Sequence, residues 1–227
     1  MSKKVKLKNF YNRSSKIRLD VVEMLYTAQS GHSGSSLSIV EILNYLFFDK
    51  KIYQNFTNRD NFILSKGHAV PALYSILYNL RLINRKELLS FRDIGTKLQG
   101  HPDRTKLKYI ELGTGALGQG LSVAIGFALA NMIKKSKKKS FCLVGDGEIQ
   151  EGQIWEAAMY AGAHNLNNLC VILDNNKTQN ETYTKKTLNI MPLKEKWKAF
   201  NWVVSEVDGH SYTQINRAFN KFYSEKK

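Results

Sequence analysis

The chain has 227 residues, enough for one large α/β domain with a substantial core, and 43% of them are hydrophobic, which excludes a disordered segment. The net charge of +15 is spread over runs at 3–8, 134–139 and 226–227 that flank structural segments, so no basic stripe with interleaved aromatics exists and nucleic-acid binding is not expected. Cys142 and Cys170 each sit in an apolar run, without metal or disulfide spacing, which fits a reducing, cytoplasmic setting.

In chain order, residues 1–12 are a basic N-terminal extension without an apolar secretory core. Leu19, Val22, Leu25 and Tyr26 then have the spacing of an amphipathic helix over 18–28, ending in a Gly/Ser loop at 29–34. Ser36 is placed to cap a second helix with Leu37, Val40, Ile42, Leu43, Leu46 and Phe47 inward. A short strand is expected at 61–65, broken at Lys66, Gly67 and His68, with helices following at 69–80 and 84–91. Gly113, Gly115, Gly118 and Gly120 open the most apolar segment, 117–133. Its Gln119, Ser122 and Asn131 make it a buried helix rather than a membrane span. Such a glycine-rich entry leaves backbone N–H groups free to hold an anion, although tight packing alone also selects it.

Gly145, Asp146 and Gly147 close the apolar run 141–144, and Asp174, Asn175 and Asn176 close a second at 169–173. From Asp146 to Asn176 is 30 residues, about one βαβ unit, with the crossover helix at 155–162. Right-handed crossover would set the two strand ends side by side. A carboxylate, an amide oxygen and glycines at such an edge form an oxygen-rich site where Mg²⁺ would hold a diphosphate. A further strand is expected at 202–207 and a last helix at 214–223. The alternation gives a doubly wound α/β fold with a mainly parallel sheet and helices on both faces.

Four of the five histidines, His32, His68, His101 and His210, directly follow glycine, which frees the backbone and exposes the ring. The spacings of 36 and 33 between the first three fit no compact zinc motif. Donation to phosphate or sugar hydroxyls suits them better, since imidazole exchanges protons near neutral pH. His164 and His210 lie beside helix boundaries and read as structural.

Together these segments resemble transketolase. The likeness rests on Ser30-Gly31-His32, Lys66-Gly67-His68-Ala69, Gly100-His101-Pro102, the run from Thr114 through Leu117 to Gly120, Gly145-Asp146-Gly147-Glu148-Ile149-Gln150-Glu151-Gly152, and Asn176, all in the family's order. It is nearest to the N-terminal, thiamine-diphosphate-binding subunit of split transketolases. The resemblance implies that Asp146 and Asn176 hold Mg²⁺ (with Ca²⁺ or Mn²⁺ as substitutes), joined by the backbone carbonyl of Thr178. It implies that Gly147 and His68 bind the diphosphate, that Gly115, Ala116 and Leu117 line the pyrimidine, and that His32 and His101 face the sugar as catalytic groups. Glu151 resembles a family glutamate at the dimer interface.

The implied activity is transfer of a two-carbon ketol unit from a ketose phosphate to an aldose phosphate, within the pentose phosphate network. One thiamine-diphosphate-binding domain fills 1–227, so the pyrimidine-binding domain is expected on a separate C-terminal subunit, in an α2β2 assembly. The sequence departs from the family where the cofactor domain usually adds one more strand and a further histidine. It also departs at Lys177, where split chains often have glycine, and at Gln179-Asn180-Glu181-Thr182. Two other readings are a 1-deoxyxylulose-5-phosphate synthase-like fragment and a non-catalytic remnant that binds or stabilises a partner. The loops around His101 and Gly118 favour transketolase over the former.

Overall fold

Residues 3–50, 52–53, 59–180 and 182–224 are described by a computed structural model; the basic tail at 226–227 and Glu181 lie outside them. The chain begins with a long helix, α1 (Lys3–Ala28), which takes in most of the expected extension. Its buried seam is Phe10, Ser14, Ile17, Val21 and Met24, spaced alternately by four and three residues as one helix face requires. Leu19, Val22 and Tyr26 are 66%, 51% and 75% exposed, so the face read from residue 18 onward is the wrong one. Extending the helix towards its N-terminus adds Phe10 and Ile17, and these fix which stripe meets the core.

Two short helices follow, α2 (Ser33–Leu37) and α3 (Val40–Asn44), the latter running into a wide turn at Tyr45–Asp49. Ser36 does not cap: it lies inside α2, and its hydroxyl donates back to the His32 carbonyl at 2.7 Å. The expected inward residues Val40, Ile42, Leu43, Leu46 and Phe47 are buried.

Strand β1 (Asn61–Leu64) ends in a 3₁₀ turn at Gly67–Ala69 and leads to α4 (Val70–Asn79) and α5 (Arg85–Leu89). Asn84 and Glu87 form a reciprocal capping box that starts α5. After the loop carrying His101 come α6 (Gln119–Ile133), β2 (Ser140–Gly145), α7 (Gly152–Ala163) and β3 (Leu169–Asp174). Helix α6 buries one face only: Leu121, Ala124, Ile125 and Ala128 are inside, whereas Met132 and Ile133 are exposed. A two-residue hairpin pairs β4 (Thr178–Gln179) with β5 (Thr182–Tyr183), before α8 (Thr184–Thr187), α9 (Leu193–Ala199) and α10 (Tyr212–Ser224).

The main sheet is parallel, in the order β1-β2-β3. Its side chains alternate as the pleat demands. Phe62, Leu64, Phe141 and Leu143 pack with α1, α3, α4 and α10, while Ile63, Cys142 and Val144 pack with α6, α7 and α9. Each large apolar side chain fully buried this way stabilises the fold by roughly 1.5–3 kcal/mol. Cys142 is buried and Cys170 half-buried, both as free thiols.

Residues 202–207 form no strand. Trp202 and Val204 pack on the second core and the Trp202 indole N–H donates to the Ala158 carbonyl at 2.9 Å. Val203 and Val207 are exposed. The alternation read from sequence is therefore present, but among the described residues no ladder partner lies alongside, and a strand requires one.

Candidate active site

All three strands of the main sheet run parallel, so their C-terminal turns gather at one edge. Gly145 is in register with Asp174, and the Asp146 N–H donates to the Asp174 carbonyl at 3.1 Å. The two turns singled out in the sequence are thus neighbours.

Asp146 is 2% exposed. Its Oδ2 accepts the Lys177 N–H at 2.7 Å and the Thr184 hydroxyl at 2.9 Å, and its Oδ1 accepts the Gly147 N–H at 2.9 Å. Burial raises its pKa, and these three bonds oppose the rise. Asn176 gives its amide N–H to Asp174 Oδ2 at 3.0 Å and accepts from the Thr178 N–H at 2.9 Å and hydroxyl at 3.0 Å. Lys177, between them, has φ +67°, a left-handed backbone that explains why glycine suits this position.

Glycines bring the remaining loops against this edge. A Cβ on Gly67 would lie 2.6 Å from Thr114 Oγ1, and one on Gly147 would lie 3.0 Å from Gln179 Cβ. Gly115, at φ +153°, packs beneath the His101 ring, which a Cβ would approach to 3.3 Å. Ala116 is exposed and Leu117 half-buried, just before the left-handed Gly118 that opens α6.

His32, His68 and His101, more than thirty residues apart in sequence, converge here. The His32 and His68 rings stand edge to face with centroids 5.2 Å apart. Burial first, then the charges of Lys66, His32 and His101, lower the His68 pKa to about 4. Burial followed by the Arg92 charge also lowers His32 and His101. All three rings are therefore neutral at pH 7, each with one nitrogen able to accept and one able to donate.

Four supporting residues carry no catalytic signal in the sequence. Glu148, 2% exposed, accepts the Gly118 and Gly145 N–H groups at 3.0 Å each and the Ser65 hydroxyl, joining the ends of β1 and β2 to the start of α6. Lys66 and Asp174 form a buried ion pair. The Arg92 guanidinium donates to Ser30 beside the histidines. A charged residue closing an apolar strand was the available clue for Lys66 and Asp174. Glu148 gave none.

The other predicted positions lie apart. Glu151 is exposed at the start of α7, and His164 ends that helix. His210 has a partner that the sequence did not reveal: its Nδ1 lies 2.8 Å from Glu41 Oε2, and Glu41 is also held by Arg18. Among the described residues no cluster of three or more His, Cys, Asp or Glu forms a metal centre. The donor set that remains, one carboxylate with amide and backbone carbonyl oxygens, is of the hard kind that Mg²⁺ takes.

A parallel sheet with a polar turn, a glycine cradle and neutral imidazoles at its C-terminal edge is the architecture of a diphosphate-cofactor domain. Residues 11–227 match the family described as transketolase, thiamine diphosphate binding domain, and the chain belongs to that family. Over 220 residues it is 39% identical to one of the subunits of apulose-4-phosphate transketolase from Phocaeicola vulgatus, covering 95% of this chain and 78% of that protein. Human transketolase is 35% identical over 221 residues, and there the chain spans only 35% of the relative's length. The crystal structure of transketolase from Campylobacter jejuni superposes with a TM-score of 0.88 at 31% identity, covering 96% of this chain and 36% of that one.

Proposed function

We propose that the chain is the N-terminal, cofactor-binding subunit of a split transketolase. It acts with a C-terminal subunit that carries the pyrimidine-binding domain, in an α2β2 complex. The observation that carries this reading is the meeting of Asp146, Asn176 and three neutral histidines at one sheet edge. Relatives from Phocaeicola vulgatus and Actinobacillus succinogenes are each named as a single subunit of apulose-4-phosphate transketolase, which supports the divided arrangement.

Asp146, the Asn176 amide oxygen and the Thr178 carbonyl would hold Mg²⁺, with Ca²⁺ or Mn²⁺ as substitutes. Gly147 and His68 would bind diphosphate oxygens, and Gly115, Ala116 and Leu117 would line the pyrimidine. The Gly147 N–H serves Asp146 Oδ1, and it would be free to donate to a phosphate oxygen once that carboxylate oxygen held a cation instead. Bound thiamine diphosphate supplies the chemistry that breaks and re-forms a carbon–carbon bond beside a ketose carbonyl. The protein binds, orients and moves protons. Neutral His32 and His101 can each take a proton from a sugar hydroxyl and return it, because neither ring is already charged. Glu148 takes the Gly118 and Gly145 N–H groups for itself and so fixes the shape of the glycine loops before the ligand arrives, without leaving those two groups to bind it. Glu151, exposed at the start of α7, is assigned to the interface between copies.

The substrates we infer are a ketose phosphate donor and an aldose phosphate acceptor, in the pentose phosphate network. Free cysteines support a cytoplasmic setting, and no described helix is long and apolar enough to cross a membrane. The test is to isolate the chain from its own cells and assay the complex for ketol transfer between sugar phosphates. A stoichiometric partner with a pyrimidine-binding domain is expected. A lone chain without activity would overturn the assignment.

A further inference from the structure

Lys66 is 1% exposed and Asp174 8%, a placement that charged side chains take only when paired. Lys66 follows β1 and Asp174 ends β3, so their bond must span the intervening strand. It does so over Gly145, where a Cβ would lie 3.6 Å from Lys66 Cδ. The lysine stem therefore passes directly beneath the turn that presents Asp146.

Asp174 Oδ2 is a hub with three donors. It receives the Lys66 ammonium, the Ser38 hydroxyl at 2.6 Å and the Asn176 amide N–H at 3.0 Å. Lys66 also donates to the Ser35 carbonyl at 3.3 Å, tying in the segment that follows His32. The two ends of a carboxamide are nearly the same shape, and only hydrogen bonds decide which faces where. By taking the amide nitrogen, Asp174 leaves the oxygen of Asn176 as the end turned away from it, towards Thr178.

We propose that the Lys66–Asp174 pair is a positioning device for Asn176. It locks the amide with its oxygen presented for a divalent cation and couples that amide to the loop bearing His32. A hard cation needs that oxygen, since an amide nitrogen is no ligand for it. Lys66 keeps Asp174 neutralised so that the carboxylate serves the amide and does not compete for the metal. This inference rests on the cofactor reading above.

The experiment uses the full chain with its co-purified partner, Mn²⁺ as the probe and thiamine diphosphate present, with bound Mn²⁺ read by electron paramagnetic resonance. Asp174→Asn and Lys66→Met are expected to weaken Mn²⁺ binding about 10–100-fold, the usual effect of removing a partner behind a metal ligand. The double variant Lys66→Met/Asp174→Leu removes both charges, and an apolar pair of similar volume commonly preserves the fold. It should melt near the wild-type temperature yet show the same loss of Mn²⁺ affinity. Wild-type affinity in a folded double variant would make the pair a structural brace only and overturn the proposal. No Mn²⁺ binding by the wild type would instead overturn the cofactor reading, and this inference with it.

Discussion

The depressed His68 pKa makes a prediction about stability against pH. His68 titrates near 6.5 when unfolded and at about 4 in the fold, so between these values the unfolded chain binds the extra proton. The stability carried by the neutral ring is fully present above pH 6.5 and is lost as the pH falls towards 4. A drop of that size corresponds to about 3.4 kcal/mol if none of it is screened. The ring is partly exposed, and discounting for solvent leaves about 2 kcal/mol. In a chain of this length that is a melting shift of roughly 4–8 °C. His68→Gln removes the titration and keeps a polar group of similar reach. The melting temperature of the wild type minus that of the variant should fall by this amount between pH 7.5 and pH 4. His32 and His101 shift in the same direction and remain in both proteins, and only their coupling to His68 is removed with it. Parallel pH profiles, or an NMR titration placing His68 at or above 6.5, would refute the reasoning.

Asp146→Ala should abolish ketol transfer by the assembled complex, and the thermal shift given by thiamine diphosphate with Mg²⁺ should vanish. Its fold should survive, because the Lys177 and Gly147 N–H groups and the Thr184 hydroxyl cost about 1–3 kcal/mol each at most when left unpaired, and removal of a buried carboxylate offsets part of that. Glu148→Gln keeps one oxygen but turns an NH₂ against a buried backbone N–H, so urea unfolding should register a loss of about 2–3 kcal/mol. Lys177→Gly relieves a left-handed backbone at an entropic cost of similar size, about 1 kcal/mol. Its melting temperature should therefore stay within a few degrees of wild type while Lys177→Val falls well below.

What the sequence settled by itself was local and periodic. Apolar runs ending at Asp146 and at Asp174 to Asn176 located two strand ends, because a buried parallel strand is nearly all apolar and its break is abrupt. The interval between them, with room for one helix, made them neighbours, and register bears this out. Glycine ahead of His32 and His101 marked exposed rings, whereas the His68 ring, read the same way, is half-buried, and the Gly/Thr/Gly entry marked the start of α6. Where two periodic faces competed, the sequence failed: α1 offers one stripe through Leu19 and Tyr26 and another through Phe10 and Ile17, and only the packed neighbours choose. Residues 202–207 have the alternation of a strand, but pairing belongs to a partner and not to the segment. The supports of the site were the least legible. Lys66 reaches Asp174 across 108 residues, and Glu148 gathers Ser65, Gly118 and Gly145 from three separate turns. A lone charge in a sequence looks solvated. Burial turns it into a fixed donor or acceptor, and burial is decided only when the sheet brings its strand ends together.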